Sequence, residues 1–238
     1  MKWSENFRIN THDTDFNRVA SASGVLRYMQ DASNYHMEGE SPSYNELFDA
    51  GYAFVLSRIR LNILEPLYSH DQITAETWAC ESRGASFNRC YSILKDGRTV
   101  AEAMTVWGLL DLNTRRLCRV DSVELNYSMD ELLDIDARFR IPRDTELIPV
   151  GEHRVGYGEV DINRHLNNTY YPDMYCDFIP EMDGKRVVSI AIAFLSEAPL
   201  GERLKICMAK VDGVYYFRSV KEDGTTNAEA EILLGEIE

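Results

Sequence analysis

The chain has 238 residues, 45% of them hydrophobic and 27% charged, with a formal net charge of −14. This is the composition of a globular protein long enough for one large folded unit or two small ones, and its charge argues against nucleic acid or an anionic membrane as the main partner. No apolar run reaches the roughly 18 residues of a membrane-spanning helix, and the opening MKWSENF lacks the apolar core of a signal peptide, which points to a cytoplasmic protein.

In chain order, a short strand leads into FRINTHDTDFNR. A helix follows, because Ala22, Val25, Met29, Ala32 and His36 recur on one face at helical spacing. RIRLNI alternates Ile59, Leu61 and Ile63 with Arg58, Arg60 and Asn62, the period-two pattern of a strand. Lys95-Asp96-Gly97 reads as a hairpin turn, since Asp-Gly supplies positive φ angles, and a strand containing AEA follows. Residues 129–148 are rich in charge and read as a linker. The pattern then recurs. VDINRHLNN precedes a helix starting near Asn167 or Asn168, where asparagine suits an N-cap and Pro172 is tolerated. VVSIAIAFL is a more buried strand, Glu222-Asp223-Gly224 a second turn, and AEA returns in the last strand.

The recurrence is a duplication. FRINTHDTDFNRVASASGVLRYMQDA, from Phe7, aligns without gaps on HRVGYGEVDINRHLNNTYYPDMYCDF, from His153, so that Asp15, Asn17 and Arg18 meet Asp161, Asn163 and Arg164. Glu65-Pro66-Leu67 then meets Ala198-Pro199-Leu200, and DGRTVAEA meets DGTTNAEA. Matches in the same order along both copies mark an internal repeat, with extra residues near 39–52 and 82–88 in the first copy. One helix on one sheet leaves surface uncovered unless a second unit closes it. The expected fold is therefore α+β, with units at 1–128 and 149–238, a linker at 129–148, and the two units paired as an internal pseudo-dimer.

Differences between the copies carry the chemistry. The DxN residues occur in both, and Asp and Asn side chains fix turns by bonding nearby backbone, so Asp161 and Asn163 have an architectural reading beside a chemical one. His165, in contrast, meets Val19. Glu197 meets Leu64 when the alignment is anchored on the shared Pro-Leu. Two titratable groups present in one copy and apolar in the other fit a chemical pair retained in one half; the alternative is two unrelated surface substitutions. Cys80, Cys90, Cys118, Cys176 and Cys207 are odd in number and scattered, which predicts reduced thiols. The histidines are scattered too, and neither a metal site nor a cofactor is expected.

These segments resemble the acyl-acyl-carrier-protein thioesterases, the plant plastid enzymes and their bacterial relatives. DINRHLNN resembles that family's D-x-N-x-H-x-N-N motif, WGLLDLNTRRLCRV (residues 107–120) its strand and TRR turn, and FLSEAPLG (residues 194–201) its second catalytic segment. The resemblance implies a tandem double hot-dog, each unit an antiparallel sheet wrapped around a central helix. It places catalysis in the C-terminal unit and much of the acyl pocket in the N-terminal one. It also implies hydrolysis of the thioester that joins a fatty acyl chain to an acyl carrier protein, with Asp161, Asn163, His165 and Glu197 as the catalytic group. Plant members often carry cysteine after the glutamate; here that residue is Ala198, which excludes a thiol nucleophile at this position. Water is the expected nucleophile, assisted by Glu197 and His165 in roles that sequence does not separate.

Asn167 and Asn168 are candidate substrate contacts and equally candidate helix caps. Val25, Met29 and Trp107 are candidate pocket residues. Arg138, Arg140 and Arg143 are a candidate docking site for an acidic carrier protein, with Arg115, Arg116 and Arg119 a second basic cluster. An acyl-CoA thioesterase of the same fold is the alternative enzyme, and a non-catalytic acyl-binding module the alternative class. Neither nucleic acid nor membrane is an expected partner, and a homodimer of the two-unit chain is compatible with this reading.

Overall fold

The computed structural model describes residues 2–237. Strand β1 (Trp3–Arg8) leads through the DxNR turn into helix α1 (Ala22–Glu38). The Ser21 hydroxyl caps α1 by accepting from the Gly24 N–H at 3.0 Å, and the expected face of Ala22, Val25, Met29, Ala32 and His36 is buried. Helix α2 (Tyr44–Asp49) lies in the extra segment of the first copy and is held by a capping box between Ser43 and Glu46. Strands β2 (Tyr52–Ile63), β3 (Gln72–Arg83), β4 (Ser86–Lys95) and β5 (Arg98–Asp111) form the meander, and the short β6 (Arg116–Leu117) folds back on β5. The second copy contributes β7 (Ile148–Arg154), α3 (Tyr171–Cys176), β8 (Lys185–Phe194), β9 (Arg203–Val211), β10 (Val214–Lys221) and β11 (Thr226–Glu236). Its helix is far shorter than α1 and is preceded by a 3-10 turn, Asn168–Tyr170.

The strands form one sheet in the order β1-β3-β4-β5-β2-β8-β11-β10-β9-β7. Read from the centre outward, the two halves list equivalent strands in the same order. The seam is the antiparallel pair β2·β8, running from Arg58↔Ala193 to Asn62↔Ser189. Ile59, Leu61 and Ile63 of β2 and Ile190 and Ile192 of β8 point to one face and share a single core with α1 and α3. This is an α+β tandem double hot-dog.

The stretch between the copies does not swing free. Ile135 and Ala137 are buried with Trp78, Cys80, Cys90 and Met104, and the Trp78 indole donates to the Glu131 carbonyl at 2.7 Å. Arg60 Nε donates to the Asp136 carbonyl. Because Arg60 alternates with the core-facing Ile59 and Leu61, this stretch crosses the sheet face away from α1. All five cysteines are free thiols. The two Asp-Gly turns differ. Asp96 and Gly97 both take positive φ, 51° and 73°, whereas at the second turn Gly224 does so (85°) and Asp223 does not. The second loop is longer, four residues between β10 and β11 against two between β4 and β5.

Candidate functional site

The DxNR turn is built the same way twice. Asp15 Oδ1 accepts from the N–H groups of Asn17 (2.8 Å) and Val19 (3.3 Å), and Asp161 Oδ1 accepts from those of Asn163 (2.8 Å) and His165 (3.2 Å). Arg18 and Arg164 take the same left-handed φ, 66° and 64°. The aspartate is thus a turn-former in both copies.

The chain then returns beside this turn. Ala20 N–H bonds the Leu67 carbonyl at 2.7 Å, and Leu166 N–H bonds the Ala198 carbonyl at 2.8 Å. Val19 bridges Tyr68 where His165 bridges Pro199. This pairing corrects the alignment drawn from sequence: Glu197 stands where the first copy has Pro66, not Leu64. The shared Pro-Leu lies two residues out of register, and backbone pairing, not residue identity, sets equivalence. The contrast itself remains, since Pro66, like Leu64, carries no charge.

The return brings Glu197 to His165, with Oε2 and Nε2 3.5 Å apart. The histidine side chain is half-buried and the carboxylate 57% exposed, so the pair is open to solvent. Asn163 is exposed and bonds Asp161 Oδ2 at 3.3 Å. Its counterpart Asn17 is latched across the two units: Nδ2 donates to the carbonyls of Met182 (2.6 Å) and Lys185 (2.9 Å), and Oδ1 accepts from Gly184 N–H at 3.0 Å. Among the described residues Asn163 makes no cross-unit bond of this kind, so its amide faces solvent where Asn17 is closed in.

Other candidates fall differently. Asn167 is a cap, its Oδ1 accepting from the N–H and hydroxyl of Thr169, both at 2.9 Å; Asn168 opens the 3-10 turn, half-buried. Val25 and Met29 lie in the core between α1 and the sheet. Trp107 lines a cavity. Arg138 pairs with Asp136 at 2.9 Å and is exposed on the sheet face away from α1; Arg140 and Arg143 follow it, also exposed. The hydroxyl of Ser196 is committed to the Thr226 carbonyl at 3.0 Å. Burial pushes the Cys176 thiol up, far from a nucleophilic thiolate.

The cavity, of about 320 Å³, lies in the first unit among the end of α1, α2 and the strands, and Met37, Tyr44, Phe54, Phe87, Trp107 and Tyr127 contribute to its apolar wall. His165 and Glu197 are not among its lining residues. Arg58 and Ala193 are the last pair of the seam at one end; Phe54 lies four residues before the one and Glu197 four residues after the other, so both chains leave the seam at that end. Burial first, and then the charge of Asp161, push the Tyr44 hydroxyl pKa up. Arg89 sits in the wall, donating through Nη1 to His36 Nδ1 (2.9 Å) and Thr77 Oγ1 (3.1 Å). Sequence reasoning missed the Tyr44, Phe54, Phe87 and Tyr127 lining. The signal available was the extra segment near 39–52, which supplies α2 and Tyr44.

The fold and the asymmetric polar pair define a double hot-dog protein with one chemically equipped unit. Residues 1–125 match the family model for the acyl-ACP thioesterase N-terminal domain, and residues 145–235 that for the C-terminal domain. The chain belongs to the acyl-ACP thioesterase family. It is 24% identical to oleoyl-acyl carrier protein thioesterase 2, chloroplastic, of Arabidopsis thaliana, over 76% of this chain and 55% of that protein. It is 21% identical to the palmitoyl-acyl carrier protein thioesterase, chloroplastic, of the same plant, over 83% and 52%. The chain thus spans about half the length of the curated relatives it matches. In fold it is similar to an acyl-ACP thioesterase from Bacteroides thetaiotaomicron (TM-score 0.89, 21% identity, 98% of each chain). It is likewise similar to the 12:0-ACP thioesterase from Umbellularia californica (TM-score 0.82, 16% identity, 99% of this chain and 97% of that one).

Proposed function

We propose that the chain hydrolyses the thioester between a fatty acyl chain and the phosphopantetheine arm of an acyl carrier protein, releasing free fatty acid and the carrier thiol. The observation that carries this reading is one histidine and one carboxylate, 3.5 Å apart, in a chain whose first unit holds an apolar cavity of about 320 Å³. The names of the plant relatives, which specify oleoyl- and palmitoyl-acyl carrier protein, support it.

Water is the nucleophile. The Glu197 carboxylate takes one proton as the water oxygen attacks the thioester carbon, and His165 shares that proton and orients the pair. The tetrahedral intermediate collapses with cleavage of the C–S bond. The thiolate is a good leaving group and takes up the proton held by the pair. Exchanging the roles of Glu197 and His165 leaves the balance unchanged. Asn163, unlatched, holds water or the carbonyl, and Asp161 holds the turn. Neither Ser196 nor Cys176 competes, the one bonded and the other protonated.

The test is thiol release from matched carrier-protein and CoA thioesters. His165→Ala and Glu197→Ala are each expected to lower kcat by about 10²–10⁴-fold, with melting temperatures close to the wild type because both side chains are partly exposed. A folded wild type that turns over neither substrate rejects the reading, and turnover of CoA thioesters alone replaces the carrier with CoA. Charge reversal at Arg138, Arg140 and Arg143 should raise KM for the carrier-borne substrate only. An equal effect on CoA thioesters, or none on carrier-borne ones, rejects docking there.

A further inference from the structure

The second unit buries four polar side chains in contact. Tyr175, Ser219 and Asn227 are fully buried, and Tyr171 is 2% exposed. Tyr175 Oη meets Ser219 Oγ at 3.1 Å, and Ser219 Oγ donates to Asn227 Oδ1 at 2.9 Å. Asn227 Nδ2 donates to Tyr171 Oη at 3.0 Å and to the Ser196 carbonyl at 2.5 Å. The Asn227 carbonyl also accepts from the N–H groups of Leu195 (2.8 Å) and Ser196 (3.0 Å). Asn227 therefore grips the backbone of the residue directly before Glu197 from both its side chain and its main chain.

The first unit shows what this position needs for folding alone. Asn227 is the bulged residue of β11 opposite Ser219 and Val220, and Val100 is the bulged residue of β5 opposite Ile93 and Leu94. The Val100 carbonyl accepts from Leu64 and Glu65 in the same way, but its side chain is apolar, and its neighbour Ile93 stands where the second unit has Ser219. At the offset of the DxNR turns, Val25 and Met29 stand where the second unit has Tyr171 and Tyr175. Burying polar groups where apolar ones suffice brings a desolvation cost. The network occurs in the unit that carries His165 and Glu197. It joins α3, which follows the His165 turn, to the segment that presents Glu197.

We infer that Asn227 is a positioning residue: its amide fixes the Ser196–Glu197 peptide and thereby holds the Glu197 carboxylate beside His165. The inference rests on the proposed hydrolysis for its kinetic readout but not for its structural one. Asn227→Val reproduces the first unit's residue, and Asn227→Asp keeps the shape while removing both N–H donors. Each is expected to lower kcat on an acyl carrier-protein thioester with KM little changed, by about 10²-fold for a displacement on the order of 1 Å. Because Asn227 acts through Glu197, adding Asn227→Val to Glu197→Gln should cost nothing further, a non-additivity that simple loss of packing does not produce. An unchanged kcat in a folded Asn227 variant, or losses that multiply with Glu197→Gln, would overturn the assignment. Crystal structures of wild type and Asn227→Asp give the second readout: the Glu197 carboxylate should move away from His165, and an unmoved carboxylate overturns the assignment even if the wild type hydrolyses no thioester.

Discussion

His36 illustrates how neighbours fix the protonation of a buried side chain. Its Nδ1 faces the Nη1 donor of Arg89 at 2.9 Å, and its Nε2 lies 2.7 Å from Glu40 Oε1. A neutral ring that accepts from Arg89 and donates to Glu40 satisfies both; a protonated one would set N–H against N–H. Burial first, and then the Arg89 charge, lower its pKa from 6.5 to about 4. The sign follows from linkage. Between these values the unfolded chain binds a proton that the folded chain refuses, so stability falls as pH falls from 6.5 toward 4. The expected slope is at most about 1.4 kcal/mol per pH unit. Urea denaturation at pH 7 and pH 5 should show the loss in wild type and a flatter dependence in His36→Gln, whose amide can make both bonds. An identical slope in the variant would assign the acid sensitivity elsewhere. The helical spacing of His36 was legible in the sequence; its partner Arg89, on a strand far along the chain, was not.

Among the elements, α1 was legible because its face repeats at 3.6 residues; its Ser21 cap came only with the structure. The glycine inside it was not explained by pattern. A Cβ on Gly24 would lie 2.6 Å from the Asp13 carbonyl oxygen and 3.0 Å from Asp13 Cβ, because the 3-10 turn at Thr11–Asp13 sits directly against the helix. Alanine is the better helix former by about 1 kcal/mol, yet Gly24→Ala should destabilise by about 1–3 kcal/mol because backbone on either side must shift. A denaturation midpoint at or above that of wild type would show that the turn yields. The two returning loops were legible as a pair, but their register was not: identity of Pro-Leu suggested one equivalence and main-chain hydrogen bonding imposed another.

At the scale of the molecule, the duplicated asparagines separate stability from chemistry. Asn17→Ala removes three hydrogen bonds that tie the first turn to the second unit and should cost about 1–3 kcal/mol of stability, with kcat retained in the folded protein. Asn163→Ala should do the reverse, lowering kcat with little change in melting. Parallel melts and kinetics check both, and matching outcomes for the two variants would reject the division of labour. The cavity makes a further prediction across a homologous acyl series. Each methylene that enters it contributes about 0.8 kcal/mol, close to fourfold in kcat/KM, until the wall is met. A flat series would place the acyl chain elsewhere.

The sequence by itself determined the duplication, the two-unit α+β fold and the residues that distinguish one unit from the other, because alternation, helical spacing and turn chemistry are local and repeat along the chain. Tertiary structure decided what those residues face. It put Glu197 against His165, replaced Leu64 by Pro66 as the counterpart of Glu197, latched Asn17 while leaving Asn163 open, and moved Val25 and Met29 into the core while lining the cavity with Tyr44, Phe54 and Tyr127. Those relations depend on which strands lie side by side at the seam and on which loops fold back beside them, and no local pattern encodes a distance between segments that meet only when the two units close into one sheet.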